Sequence, residues 1–279
     1  MDATEAADKT ERFMALHHGD APLLMPNPWD IGSAKLFESL GFRALATTSS
    51  GFAATLGRLD GSVTRDEALE HAAALAAATD VPLSADLENC FAEDPEGVAH
   101  TVTLATWTGL AGCSVEDYSR ASDSIYERAL AVDRVAAAAE AAHRGPTRLV
   151  LTARAENFIH GNTDLADTIA RLQAYQSVGA DVLFAPGVIA ADDIRVLVGS
   201  VDAPVNVLAT PNAPTVAEMA KLGVARISVG GSLAYVALGA VVTAARELLD
   251  DGTFGYWDVA NPGRMAARSA FASDRPSAP

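Results

Sequence analysis

The chain has 279 residues, 49% of them hydrophobic, with a formal net charge of -16 and a pI near 4.6. That charge repels nucleic acid and anionic membrane surfaces, and no basic cluster reverses it locally. Two cysteines, Cys90 and Cys113, are too few for a disulfide framework and are not spaced as a zinc or redox motif.

In chain order, Thr10 to His18 reads as a short amphipathic helix, and the start of the chain that contains it, Met1 to Asp20, lacks the apolar core of a secretory signal. Leu23 to Asp30 gives a first strand ending in turn formers, and Ile31 to Leu40 a helix. Phe42 to Thr47 is a second strand running into the turn Thr47-Thr48-Ser49-Ser50-Gly51. Thr64 to Thr79 is an alanine-rich helix whose Thr64-x-x-Glu67 has the form of a capping box. The third strand, Pro82 to Glu88, brings two acids one residue apart. Strand alternation puts Asp86 and Glu88 on one side. Two acids so placed repel unless a cation lies between them, and a hard divalent ion, Mg²⁺ or Mn²⁺, held directly or through water, suits them best.

Glu96 to Thr108 is the next helix, Gly112 to Asp117 a fourth strand, Ile125 to His143 a long helix and Arg148 to Arg154 a fifth strand. A helix from Asp164 to Val178 follows. Strands at Asp181 to Ala185, Pro204 to Leu208 and Arg226 to Val229 alternate with helices at Ala191 to Val198 and Thr215 to Leu222. These strands are short, rich in Val, Leu and Ala, and do not alternate in polarity, as befits parallel strands buried on both faces. Eight such units predict an α/β fold, a (β/α)8 TIM barrel, as a single domain over 1–279. Around it lie a helical extension (1–20), a C-terminal helical segment (234–260) and a loosely ordered tail (261–279). No uninterrupted apolar run approaches the roughly 20 residues that span a bilayer, so the expected location is the cytoplasm. The three lysines, Lys9, Lys35 and Lys221, all fall away from strand ends, which excludes Schiff-base aldol chemistry.

In a barrel the residues that do chemistry stand at the C-terminal ends of the strands. Here those positions hold Asn27, Asp30, Thr48, Ser49, Asp86, Glu88, Glu116, Arg154, Glu156 and Asn206. Cys90 follows the metal strand and reads first as a packed thiol, His160 as either a cap or a general acid or base, and His71, His100 and His143 as surface residues on helices. Gly230-Gly231-Ser232 reads either as a phosphate-binding turn or as a tight turn into the closing helix.

With these motifs aligned, in particular Asn27-Pro28-Trp29-Asp30, Leu56-Gly57-Arg58-Leu59-Asp60, Ser84-Ala85-Asp86-Leu87-Glu88, Val115-Glu116-Asp117 and Thr152-Ala153-Arg154-Ala155-Glu156, the sequence resembles the isocitrate lyase and phosphoenolpyruvate mutase superfamily. The resemblance implies that Asp86 lies nearest a magnesium ion and that Glu88, Asp60 and Glu116 hold its waters. It implies that Thr47, Thr48 and Ser49 bind the carboxylate and enolate oxygens of an α-keto acid, and that Arg154 neutralises the enolate. Trp29 and Asn206 complete the implied substrate contacts, with Arg154, Glu116 and Asp60 as the catalytic group.

The implied activity is a Mg²⁺-dependent C–C lyase on a small 2-hydroxy or 2-oxo carboxylate. The alternatives are a C–P bond enzyme, either phosphonomutase or phosphonopyruvate hydrolase, and a barrel that binds carboxylates without turnover. The family's Lys-Lys/Arg-Cys-Gly-His loop has no counterpart here, where Asp117 to Tyr126 contains no cysteine, histidine or lysine. The resemblance further implies a homotetramer with helices exchanged between subunits, and the aromatic segment Gly252 to Trp257 offers surface for it.

Overall fold

The computed structural model describes residues 3–272. The barrel strands fall where short apolar runs were read. They are β1 (Leu23–Met25), β2 (Leu45–Ala46), β3 (Leu83–Asp86), β4 (Gly112–Glu116), a hairpin of β5 (Tyr118–Ser119) and β6 (Ser124–Ile125), then β7 (Val150–Arg154), β8 (Val182–Phe184), β9 (Val205–Leu208) and β10 (Arg226–Ser228). All but the hairpin form one parallel sheet in the order β1-β10-β9-β8-β7-β4-β3-β2. The two end strands meet without a ladder: the Ala46 N–H donates to the Pro26 carbonyl at 3.1 Å. Asn27 completes the seam, donating from Nδ2 to the Thr47 carbonyl at 2.9 Å and accepting the Val229 and Gly230 N–H groups at its Oδ1. The result is a nearly closed eight-stranded barrel.

The helices are α1 (Ala3–Leu16), α2 (Ile31–Ser39), α3 (Ser49–Thr55), α4 (Arg65–Ala77), α5 (Pro95–Ala105), α6 (Arg128–Arg144), α7 (Leu165–Ser177), α8 (Ala191–Val198), α9 (Val216–Lys221), α10 (Ser232–Arg246) and α11 (Trp257–Phe271). The capping box at Thr64 and Glu67 forms as its spacing predicts, the Thr64 side chain accepting the Glu67 N–H. Helix α1 plugs the N-terminal end of the barrel. Its Phe13 is fully buried among Leu23, Met25, Ala44, Val150 and Val182. Gly112 makes room for that ring, since a Cβ there would lie 2.8 Å from it and 2.7 Å from the Val150 carbonyl.

Four readings are corrected. The turn after β2 is the start of a helix, α3, with Thr48 as its N-cap. The 117–126 segment carries the β5–β6 hairpin, and α6 begins only at Arg128. The stretch from Asn261, read as a loose tail, is helical to Phe271 despite Pro262 inside it, because Ala270 is buried and Phe271 rests on Gly32 of α2 in the same chain. Residues 273–279 of that expected tail lie outside the described ones. Finally, the run from Ser232 to Asp251 is one 20-residue helical stretch whose mean hydropathy of 1.4 and length suffice to cross a membrane by composition alone. A helix from Ala234 to Asp250 is read from the sequence as well, but Arg246 and Glu247 break the apolar run there. Its apolar side chains are exposed, Val236, Val241 and Leu249 each more than half.

Candidate active site

The C-terminal ends of the strands surround a cavity of about 290 Å³. Of the residues read as site residues, Thr47, Thr48, Ser49, Asp60, Asp86, Glu116, Arg154 and Asn206 are in its wall. Trp29 and Glu88 are not. The Trp29 ring packs edge-on against Phe37, with centroids 6.1 Å apart, at the edge of the core.

Glu88 stands behind Asp86 for a different reason than the one first given. The strand ends at Asp86, and Glu88 has φ 51°, a left-handed conformation uncommon for a non-glycine residue. A turn, not strand alternation, directs it toward the acids.

Arg154 organises the mouth. Its Nη1 lies 2.8 Å from Glu116 Oε1 and 3.3 Å from Asp86 Oδ1, and its Nε donates to Glu156 Oε1 at 2.7 Å. The guanidinium carbon is 5.1 Å from the centre of the Phe184 ring. Burial disfavours the charge, but Glu116, Glu156 and Asp86 more than offset it and raise the Arg154 pKa. Asp86 is further placed by its own N–H donating to Thr47 Oγ1 at 2.9 Å and by the Ser49 N–H donating to its Oδ2 at 3.3 Å.

A second guanidinium, which sequence reading passed over, lies on the hairpin. Arg120 donates from Nε to Glu88 Oε2 at 2.8 Å and from Nη2 to Asp60 Oδ2 at 3.0 Å. Tyr118 precedes it, hydrogen-bonds to Asp123, and stacks on His160 with ring centroids 3.6 Å apart. Both rings line the cavity, and burial lowers the His160 pKa, favouring the neutral imidazole. Cys90 is a packed thiol, fully buried and pushed up to about 12 by desolvation. His71 is not a surface residue: it stacks on Phe52 and reaches the Trp29 carbonyl at 3.0 Å. His143 pairs with Asp181. At Gly231 a Cβ would come within 2.4 Å of Ser50 Oγ, so the glycine lets the turn after β10 close on the start of α3.

Five carboxylates, Asp60, Asp86, Glu88, Glu116 and Glu156, thus face two guanidiniums. Burial first, and neighbouring acids after it, shift their titration. Desolvation and then Asp86 raise Glu88 to about 7, and burial with its acidic neighbours raises Glu116 well above the ordinary range in spite of Arg154. Among the described residues no three His, Cys, Asp or Glu side chains are spaced to ligate a metal directly. A hard divalent cation at Asp86, with the other carboxylates on its waters, nevertheless fits this donor set. All the donors are oxygen, and such an ion would offset both the burial and the mutual repulsion of Glu88 and Glu116.

A parallel barrel with acids, a buried arginine and a cavity at the C-terminal ends of its strands defines a barrel enzyme built for small anionic substrates. The phosphoenolpyruvate phosphomutase family model matches residues 13–249, and the chain belongs to that family. It is accordingly an enzyme of the phosphoenolpyruvate mutase/isocitrate lyase type, a group of lyases, phosphonomutases and hydrolases.

Among solved structures, a lyase/mutase candidate from Burkholderia cenocepacia J2315 is 48% identical with a TM-score of 0.90, covering 95% of this chain and 96% of that one. A phosphonomutase candidate from the same organism is 36% identical with a TM-score of 0.82, covering 86% and 99%. Oxaloacetate decarboxylase 2 of Pseudomonas fluorescens Pf0-1 is 30% identical over 259 residues, 89% of this chain and 86% of that protein.

Proposed function

We propose that this chain is a Mg²⁺-dependent lyase that cleaves a C–C bond in a small 2-oxo or 2-hydroxy carboxylate through a pyruvate-like enolate. The observation that carries the reading is Arg154, a buried guanidinium that pairs with three carboxylates and lines the same cavity as Asp86. A divalent ion at Asp86, with Glu88, Asp60 and Glu116 around its waters, would supply Lewis-acid polarisation of the substrate's oxygens. Arg154 donates to the oxygen on which charge develops as the bond to C3 breaks, a preorganised interaction strongest in the transition state. Thr47 and Thr48, between β2 and α3, and Ser49, the first residue of α3, orient the substrate carboxylate, with Asn206 lining the same cavity. Glu116, raised by burial, can hold a proton beside Arg154. Asp60 and Arg120 close the rim, where Tyr118 and His160 offer the proton donor that a cysteine supplies in the family's usual loop.

The test is Asp86→Ala, which should lose calorimetric Mg²⁺ binding and metal-dependent turnover while keeping the fold. Mg²⁺ binding equal to the parent's would place the ion elsewhere.

A second reading, a C–P bond enzyme, is favoured by the 36% identity to the phosphonomutase candidate. ³¹P NMR on phosphonopyruvate distinguishes the two. We extend the proposal to assembly: one cytoplasmic barrel domain per chain, four chains per molecule, with C-terminal helices exchanged so that the exposed apolar side chains of α10 are covered by a second copy. The exposed Val236, Val241 and Leu249 support it, as does a net charge that repels anionic bilayers.

A further inference from the structure

Barrel axes are commonly filled by branched apolar side chains. This one is polar below the mouth: Ser84, Ser114, Ser228 and Arg226 line the same cavity as Arg154. Arg226 opens β10, two residues below Ser228 and four below the mouth glycine Gly230, and is only 3% exposed. Its partners are all neutral. Nε donates to Asn206 Oδ1 at 2.9 Å, Nη2 to Thr152 Oγ1 at 3.1 Å, and Nη1 to His17 Nε2 at 3.2 Å. That imidazole donates from Nδ1 to the Phe13 carbonyl at 2.7 Å, and burial with Arg226 beside it lowers its pKa to about 3, so it accepts from the guanidinium uncharged.

No carboxylate among the described residues pairs with Arg226. The charge that reaches it across the barrel is that of Arg154, of the same sign. Burial first and Arg154 second pull its pKa down to about 9. A guanidinium carries five N–H donors, and these contacts use three. A buried cation without an anion is costly unless something supplies one, and the route by which an anion could arrive is the substrate cavity itself.

We propose that Arg226, with Asn206 and Ser228, forms a deep anion subsite that receives the second carboxylate of a dicarboxylate whose 2-oxo-acid end lies at Arg154. The proposal rests on the reading of the mouth given above and narrows its substrate class to diacids. A cavity of about 290 Å³ suits an acid of four to six carbons. Arg226 is then a specificity residue: it binds the carboxylate remote from the 2-oxo group, while Thr152 and His17 hold its guanidinium in place.

The experiment compares matched 2-oxo monoacids and 2-oxo diacids of four to six carbons by calorimetry with Mg²⁺ present. Four proteins are used: the parent, Arg226→Gln, Ser114→Val, which narrows the shaft without touching Arg226, and Arg154→Lys. The parent should bind at least one diacid about tenfold more tightly than its matched monoacid. Both Arg226→Gln and Ser114→Val should remove that preference while leaving monoacid affinity within about threefold. Equal affinities at every length in the parent, or a preference that survives Ser114→Val, overturn the subsite even if Arg226→Gln does not fold. Monoacid binding that Arg154→Lys leaves unchanged overturns the reading of the mouth instead, whatever Arg226 does.

Discussion

Arg154 keeps its charge at any working pH, so replacing it separates the shape of the donor from its sign. Lysine retains the charge but not the planar fork that spans Glu116, Asp86 and Glu156. Arg154→Lys should therefore lower kcat by roughly 10²-fold or more, the usual loss for a preorganised transition-state donor, with little change in melting temperature. Normal kcat with a lowered melting temperature would make Arg154 a brace for the mouth.

Glu88 gives a pH signature. Its pKa rises from 4.5 to about 7 in the folded chain, chiefly by desolvation and then by Asp86. Between those values the folded protein keeps a proton that the unfolded chain has released. Stability in chelator should therefore fall as pH climbs from about 4.5 through 7, and Glu88→Gln should flatten that decline by about 1–3 kcal/mol in denaturant titrations. A parallel decline in both proteins would show that Glu88 is not the group responsible.

At this scale Asp86, Ser49 and Arg154 were legible because a strand-end position alone directs a side chain into a barrel mouth. Glu88 reached the acids by a left-handed turn that alternation cannot foresee. Arg226 was read only as the first residue of a strand, far from the strand ends where site residues were sought.

Two elements control access to the cavity from opposite ends, and neither belongs to the regular alternation. Helix α1 closes the bottom through Phe13, and Phe13→Ala should cost about 3–5 kcal/mol in equilibrium unfolding, because Gly112 leaves nothing to collapse into the space. A loss under about 1 kcal/mol would mean the plug is dispensable. The β5–β6 hairpin covers the top, strapped by Arg120 to Glu88 and Asp60. Removing that strap with Arg120→Ala should speed proteolysis within 117–126 while leaving the barrel intact, since these pairs are partly solvated and contribute little globally. Unchanged cleavage would show the hairpin held by other contacts. The eight-fold alternation was readable because each buried strand is a short apolar run. Two-residue strands have no period to read, and Asn261-Pro262-Gly263 has the composition of a helix breaker, which docking against α2 overrides in α11.

For the molecule as a whole, the long apolar stretch from Ser232 to Asp251 is out of place on a lone subunit. Light scattering at micromolar concentration should give a tetramer, and Val241→Glu, at a side chain 64% exposed in the single chain, should lower the mass. A monomer would leave α10 in need of another occupant. The measurement that bears most directly on the central claim is turnover of a panel of 2-oxo and 2-hydroxy acids, phosphonopyruvate included, followed by ¹H and ³¹P NMR with Mg²⁺. Asp86→Ala and Arg154→Lys are run alongside. We expect C–C cleavage to a pyruvate-type product that stops in chelator and in Asp86→Ala and falls about a hundredfold in Arg154→Lys. Binding without turnover, or turnover indifferent to both the metal and Arg154, would contradict the account.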